Sequence, residues 1–492
     1  MKRTLLAMWV ALLIAVPLGC SQSAGVTDSA DRQRFAVELS RAVTTDSMMG
    51  HLAKLQEIAD ANGGTRAVGT PGYDASVNYV AETLRARGFD VQMPEFQTKV
   101  FEAEKPSLTV GGATVPSTAL QFSAGTPADG VTGPLVAAPA DETPGCAPVD
   151  YQGLPVAGAV VLVDRGSCPF RAKETIAAKL GAVALVVADN VDEEYIGGTL
   201  GEQGEVTIPV LGISKADGAR LRAAAGPATV TLKATTETIT ARNVIAQTKT
   251  GSTQNVVMTG GHLDSVPEGP GINDNGSGVA AILETAVQLG SAAPVRNAVR
   301  FAFWGAEELG TVGSTKYLES LDVEQLKDIA LYLNFDMIGS PNPGYFAYDG
   351  DQSADLGPDQ SVPRVPEGSA GIERTFAAYL KAAGKTPQDA GFDGRSDYDG
   401  FTLAGIPSGG LFSGAEEKMS PEQAKLWGGK AEMPFDPNYH KPTDTLDHVD
   451  RDAQGINGRG VAYGVGFYAQ SLDGRNGMPA REDRTRHMLP KS

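Results

Sequence analysis

The chain predicts an α/β fold: a mostly parallel central sheet flanked by helices, with a β-rich domain inserted ahead of most of the strands. Three patterns carry this reading. From Arg242 onward, apolar runs of strand length alternate with helical periodicity at βα spacing. Between about 105 and 238 the texture changes to short β-branched runs broken by Gly and Pro. Residues 31 to 92 read instead as helices. A chain of 492 residues is too long for one ordinary core, so two to three folded units are expected.

The first twenty residues, MKRTLLAMWVALLIAVPLGC, stand apart. Lys2 and Arg3 precede an apolar stretch from Leu5 to Val16, the layout of an export signal and too short for a membrane span. The ending at Cys20 resembles a bacterial lipoprotein signal, with Pro17 where leucine is usual. It implies lipidation of Cys20 and anchoring on the outer side of the cell membrane, with plain secretion as the alternative. Processing at Cys20 leaves Cys146 and Cys168, an even number in an exported chain and hence an expected disulfide.

The expected organisation follows in order. Residues 1–20 are the signal and 21–33 a flexible tether. Residues 34–115 hold the N-terminal helices, among them HLAKLQEIA and YDASVNYVAETLRARG, and a strand from Phe89 to Val100. The insert spans 116–238, with strands such as GAVVLVDRG and VALVVAD around one helix, PFRAKETIAAKLGA. In 239–473, strands NVIAQTK, NVVMTGG, NAVRFAFWG, ALYLNF and PSGGLFSG alternate with helices at VAAILETAVQLG and near Gly371 to Ala383. Residues 474–492 form a polar tail.

In a sheet of this kind, sites lie at the carboxyl ends of strands. His262 follows NVVMTGG, Glu307 and Glu308 follow VRFAFWG, and Asp336 follows ALYLNF; Asp274 lies in the first glycine loop and His440 in a late loop, PNYHKPTDT. One such polar residue is ordinarily a cap or a solvated loop residue. Carboxylates that directly end apolar strands are partly buried, and buried charge needs a partner or a metal. Two histidines with several carboxylates suit Zn²⁺ better than Ca²⁺ or Mg²⁺, with enough ligands for two ions sharing a carboxylate.

The segments GGHLDS, GINDNGSG, FWGAEELGTVGS, NFDMIGS, GRSDYDGF and YHKPTDT, over roughly 240 to 470, closely resemble those of peptidase family M28, whose bacterial secreted members are zinc aminopeptidases. The resemblance implies two Zn²⁺ per chain: His262 and Asp336 on one, Glu308 and His440 on the other, Asp274 bridging. It implies Glu307 as general base, Asp264 orienting the imidazole of His262, and Tyr439 stabilising the oxyanion. Glu307 and Asp336 would hold the substrate's ammonium, and Arg395 would lie beside the substrate pocket, with an ordinary loop salt bridge as the alternative. The insert, with RGSCPF and its flanking strands, resembles the protease-associated (PA) domain, which often carries a cysteine pair.

The implied activity is removal of N-terminal residues, large and apolar ones, from peptides. Carboxypeptidases, dipeptidases and glutaminyl cyclases use the same scaffold, and a non-catalytic peptide-binding lipoprotein is the rival of another class. Acidic residues outnumber basic ones 59 to 41, and the net charge of −18 argues against nucleic acid as a partner. No motif bears on the oligomeric state.

Overall fold

The computed structural model describes residues 23–141, 143–191, 197–201, 205–224, 226–354, 364–472 and 477–491. The expected signal peptide and Cys20 lie outside them. The chain divides into two compact units, the second being Glu95–Arg242 and the first taking the chain on either side, to Pro94 and from Asn243 to Leu489.

The first unit is built on an eight-stranded sheet: β1 Asp90–Gln92, β2 Val244–Gln247, β3 Ser252–His262, β4 Asn297–Trp304, β5 Ile329–Phe335, β6 Phe346–Tyr348, β7 Gln388–Ala390 and β8 Ser408–Phe412. Their order is β1-β2-β4-β3-β5-β8-β6-β7. The central run β4-β3-β5-β8 is parallel, while β1, β2 and β6 join by antiparallel pairing. Every residue of β5 is buried, as expected of a strand covered on both faces. One face packs helices Ser23–Ala42, Thr45–Ala61, Gly278–Leu289, Ser369–Ala382 and Arg451–Gln470; on the other, Leu318, Leu326 and Phe401 from three short helices close on Trp304 and Tyr332.

Three expectations need correction. The stretch expected as a tether is helical from Ser23, because Ala36 and Leu39 are buried on one face of the helix Ser23–Ala42 and so anchor its continuation toward the N-terminus. The expected strand from Phe89 to Val100 is two strands, Asp90–Gln92 and Glu95–Ala103, separated at Met93 and Pro94. Proline lacks the amide hydrogen that a ladder needs. The second unit begins at Glu95 and not at 116, because Glu95–Ala103 pairs along its whole length with Ala234–Arg242. The C-terminal tail is docked: Arg484 and Arg486 are buried and donate to the carbonyls of Gln254, Lys327, Leu326, Gly405 and Ile329.

In the second unit, the sheet is centred on four parallel strands, Val131–Ala137, Val160–Asp164, Ala184–Ala188 and Val210–Ile213. Cys146 and Cys168 form the expected disulfide at a sequence separation of 22. A loop of that length contributes about 3 kcal/mol by restricting the unfolded chain. Replacing both cysteines by alanine is therefore expected to lower the stability of this unit by about that amount, read as a shift in its urea midpoint; an unmoved midpoint contradicts it.

Candidate metal centre

The parallel register sets the site. His262 at the end of β3 pairs with Trp304 at the end of β4, and Gly260 with Asn334 near the end of β5, so the three strands stop at one level. The chain then turns sharply after β4 and after β5, and again in the late loop. Ala306 (φ 58°) precedes Glu307, Met337 (φ 49°) follows Asp336, and His440 itself stands at φ 55°. Left-handed backbone at a non-glycine residue costs on the order of 1–3 kcal/mol and persists only where the surroundings impose it.

The turns converge on two trios that share one member. His262 Nε2 lies 3.2 Å from Asp274 Oδ1 and 3.3 Å from Asp336 Oδ1. His440 Nε2 lies 3.2 Å from Asp274 Oδ2 and 3.0 Å from Glu308 Oε2. Asp274 thus turns one oxygen to each imidazole. Ligands about 2.0–2.1 Å from a tetrahedral zinc stand roughly 3.3 Å from one another, so each trio has the spacing to hold one ion with a position left open. Buried His262 Nε2, Glu308 Oε1 and Asp336 Oδ1 find no hydrogen-bond partner. Such orphans are costly unless a cation satisfies them. The donor set therefore fits zinc.

Asp264 reaches His262 through its main chain. The carbonyl oxygen of Asp264, and not its carboxylate, accepts from His262 Nδ1 at 3.0 Å; the nearer carboxylate oxygen is 3.8 Å away. The carboxylate instead accepts the backbone N–H groups of Glu307 (3.2 Å) and Glu308 (3.3 Å). It positions the two glutamates by their main chain. Glu307 is buried, with Oε2 3.9 Å from His262 Nε2, and belongs to neither trio.

Other supports escape the sequence reading. Asp444 accepts the N–H groups of Asn273 (2.8 Å) and Asp274 (3.0 Å), and Ser396 Oγ donates to Asp336 Oδ2 at 2.6 Å. Arg66, fully buried, donates to the carbonyls of Leu263, Pro270 and Gly271. Asp444 and Ser396 lie inside quoted motifs, YHKPTDT and GRSDYDGF, and could have been singled out there; Arg66 lies in a glycine-rich turn with no such signal.

The electrostatics follow from burial. Burial opposes the charged form of His262, but Asp336 and Glu307 outweigh it and hold the imidazole well above its usual range. His440 is held at about 10, burial again opposing and Asp274 and Glu308 prevailing. Burial also opposes ionisation of Asp274, yet the two imidazoles hold its carboxyl well below the usual range. Burial and Asp274 push Glu308 up to about 7, and Glu307 is raised well above its ordinary value, chiefly by burial. Without metal, the cluster keeps protons that its ligands must release to bind an ion.

A cavity of about 340 Å³ opens on the cluster, with Met337, Phe346, Tyr348, Phe412 and Phe435 among its walls. Tyr439 stacks on His440 with ring centroids 3.8 Å apart. Its hydroxyl accepts from Arg395 at 3.2 Å, and Arg395 also pairs with Glu416 and Glu417. Arg395 thus lines the cavity and makes loop salt bridges at once.

A parallel α/β sheet that brings two histidines to one shared carboxylate, with an unligated glutamate beside them, defines a metal-dependent hydrolase. Residues 243–465 match peptidase family M28 and residues 131–221 match the PA domain. The chain is 67% identical to the probable lipoprotein aminopeptidase LpqL of Mycobacterium tuberculosis, over 98% of this chain and 97% of that protein. It is 41% identical to leucine aminopeptidase 2 of Arthroderma otae, over 89% and 87%. Among solved structures, an aminopeptidase from Aneurinibacillus sp. strain AM-1 superposes with TM-score 0.71 at 26% identity, covering 93% of this chain and 98% of that one. A zinc aminopeptidase from Bacillus subtilis gives 0.60 at 27%, over 86% and 94%. The chain belongs to peptidase family M28, with an inserted PA domain, and is a metallo-aminopeptidase whose metal is zinc.

Because protons and metal compete for the same atoms, zinc affinity is expected to rise with pH. Glu308 at about 7 and His440 at about 10 hold protons at pH 6 that binding must expel, so each proton released tightens apparent affinity about tenfold per pH unit. Chelator competition at pH 6, 7 and 8 measures this, and a flat profile contradicts it.

Proposed function

We propose that the protein is an exported, lipid-anchored di-zinc aminopeptidase that removes large apolar residues from the N-termini of peptides. The observation that carries the two-ion reading is Asp274, with one oxygen 3.2 Å from each of two separate imidazoles. In this reading His262 and Asp336 would hold one ion, Glu308 and His440 the other, and Asp274 would contribute to both. Anchoring through Cys20 is supported by the lipoprotein-like signal and by the name of the Mycobacterium tuberculosis relative. Among the described residues, no helix is long and apolar enough to cross a membrane.

When bound, zinc supplies Lewis acidity for the substrate carbonyl and makes a nearby water acidic. Glu307 is the base. It is buried, close to both trios yet outside them, and Asp264 fixes its main chain. Its carboxylate takes the proton of the attacking water and passes it to the leaving amine. The Tyr439 hydroxyl receives its hydrogen bond from Arg395, which leaves its own hydrogen free for the developing oxyanion. Asp336 and Glu307 offer negative charge to the substrate's free ammonium, which favours an N-terminal residue. The aromatic walls at Phe346, Tyr348, Phe412 and Phe435 then take up its side chain.

Glu307→Gln keeps the shape of the base and removes its basicity. The variant is expected to retain two zinc ions per chain while kcat falls by about 10² to 10⁴; metal analysis beside steady-state kinetics checks both, and unchanged turnover overturns the mechanism. N-acetylation of a peptide substrate is expected to abolish cleavage, and full activity on the blocked peptide excludes an aminopeptidase.

A further inference from the structure

Arg395 is a cation on the cavity wall, placed on the His440 side through its bond to Tyr439. A guanidinium in such a position ordinarily clasps a carboxylate with two parallel bonds. Here that capacity is already taken. Glu416 Oε1 stands 2.8 Å from one terminal nitrogen and Glu417 Oε1 3.5 Å from the other. Two carboxylates answer one guanidinium, and Asp393, which also lines the cavity, accepts the backbone N–H of Arg395 at 3.0 Å. Lys418 also lines the cavity, so three carboxylates, Asp393, Glu416 and Glu417, stand against two cations at this wall and leave it one charge negative.

The aminopeptidase reading above supplies the direction of the substrate. Its first side chain enters the aromatic pocket and its scissile carbonyl faces Tyr439, so the chain beyond the cleaved bond runs past the arginine that holds Tyr439. In a dipeptide the free carboxylate arrives one residue later, roughly 3.5 Å along the chain. It then meets Glu416 and Glu417 and an arginine whose two terminal nitrogens already face them. We propose that Glu416 and Glu417 are specificity-determining residues that saturate Arg395 and turn the enzyme away from dipeptides, toward substrates with no carboxylate at that position. Longer peptides and amides meet no such charge.

The test compares a dipeptide bearing an apolar first residue with its C-terminal amide, which differ by one charge. In the wild type the amide has the higher kcat/KM, and added salt narrows the gap by screening the half-exposed carboxylates. In Glu416→Gln/Glu417→Gln, the dipeptide gains about tenfold relative to the amide, mostly through KM, and adding Arg395→Gln removes the gain. A merely structural role for the two glutamates lowers both substrates together and leaves the ratio fixed, which overturns the proposal. A wild type with no salt-sensitive preference also overturns it, without needing any variant. The wild type's cleavage of the amide is the separate check on the aminopeptidase reading, and its failure there overturns both.

Discussion

Everything at the site depends on one side chain presenting two oxygens in two directions. Asp274 can do so only if its peptide is held still, and the loop that carries it is fastened on every side. Asp444 takes the N–H groups of Asn273 and Asp274, Asn275 bonds the carbonyl of Phe335 and the N–H of Met337, and Ser277 takes the N–H of Ile338. The segment after β5 and the Asp274 loop are thereby one piece. Arg66 completes the frame from beneath. Burial lowers its pKa to about 10, Asp264 and Asp444 opposing, so it stays charged at neutral pH inside a cluster rich in carboxylates.

The geometry is organised at a cost. Three left-handed residues flank or form the ligand set, and several ligand atoms are buried without hydrogen bonds. Neither arrangement stabilises the metal-free fold; both are held by the fully buried strands around them. At Gly261 a Cβ would stand 2.6 Å from the carbonyl oxygen of Phe335, so β3 approaches the end of β5 as closely as it does because no side chain intervenes. In the proposed reading, zinc entering this site would find its ligands already converged and would return stability that the fold gave up.

The strands that deliver the ligands were legible because they are covered on both faces and read as unbroken apolar runs, so His262, Glu307, Glu308 and Asp336 could be placed at their ends from the chain alone. Asp274 and His440 were legible only through whole motifs, since loop position has no periodicity to reveal it. What pattern could not show was how atoms divide their roles. Asp264 is expected to orient His262; its carbonyl accepts from that imidazole, while its carboxylate holds the main chain of Glu307 and Glu308. The helix Arg451–Gln470 was hidden because its glycines weaken helical propensity; Gly466 earns its place by close approach to Ala36, which a Cβ would meet at 2.9 Å. The boundary at 95 was missed because 130 residues, Glu104 to Lys233, separate the paired strands Glu95–Ala103 and Ala234–Arg242 in sequence.

That pairing has a consequence for the ancestry of the chain. The amide of Asn243 bonds the carbonyl of Pro94 at 3.1 Å, so the peptidase unit leaves and resumes its own path at a single point. A segment whose two ends meet there can be acquired or discarded in one genetic event without changing the strand order of its host. Closing the gap with a short turn costs little chain entropy. The second unit is thus joined through neighbouring chain ends, and the eight-stranded order of the first is complete without any of its strands.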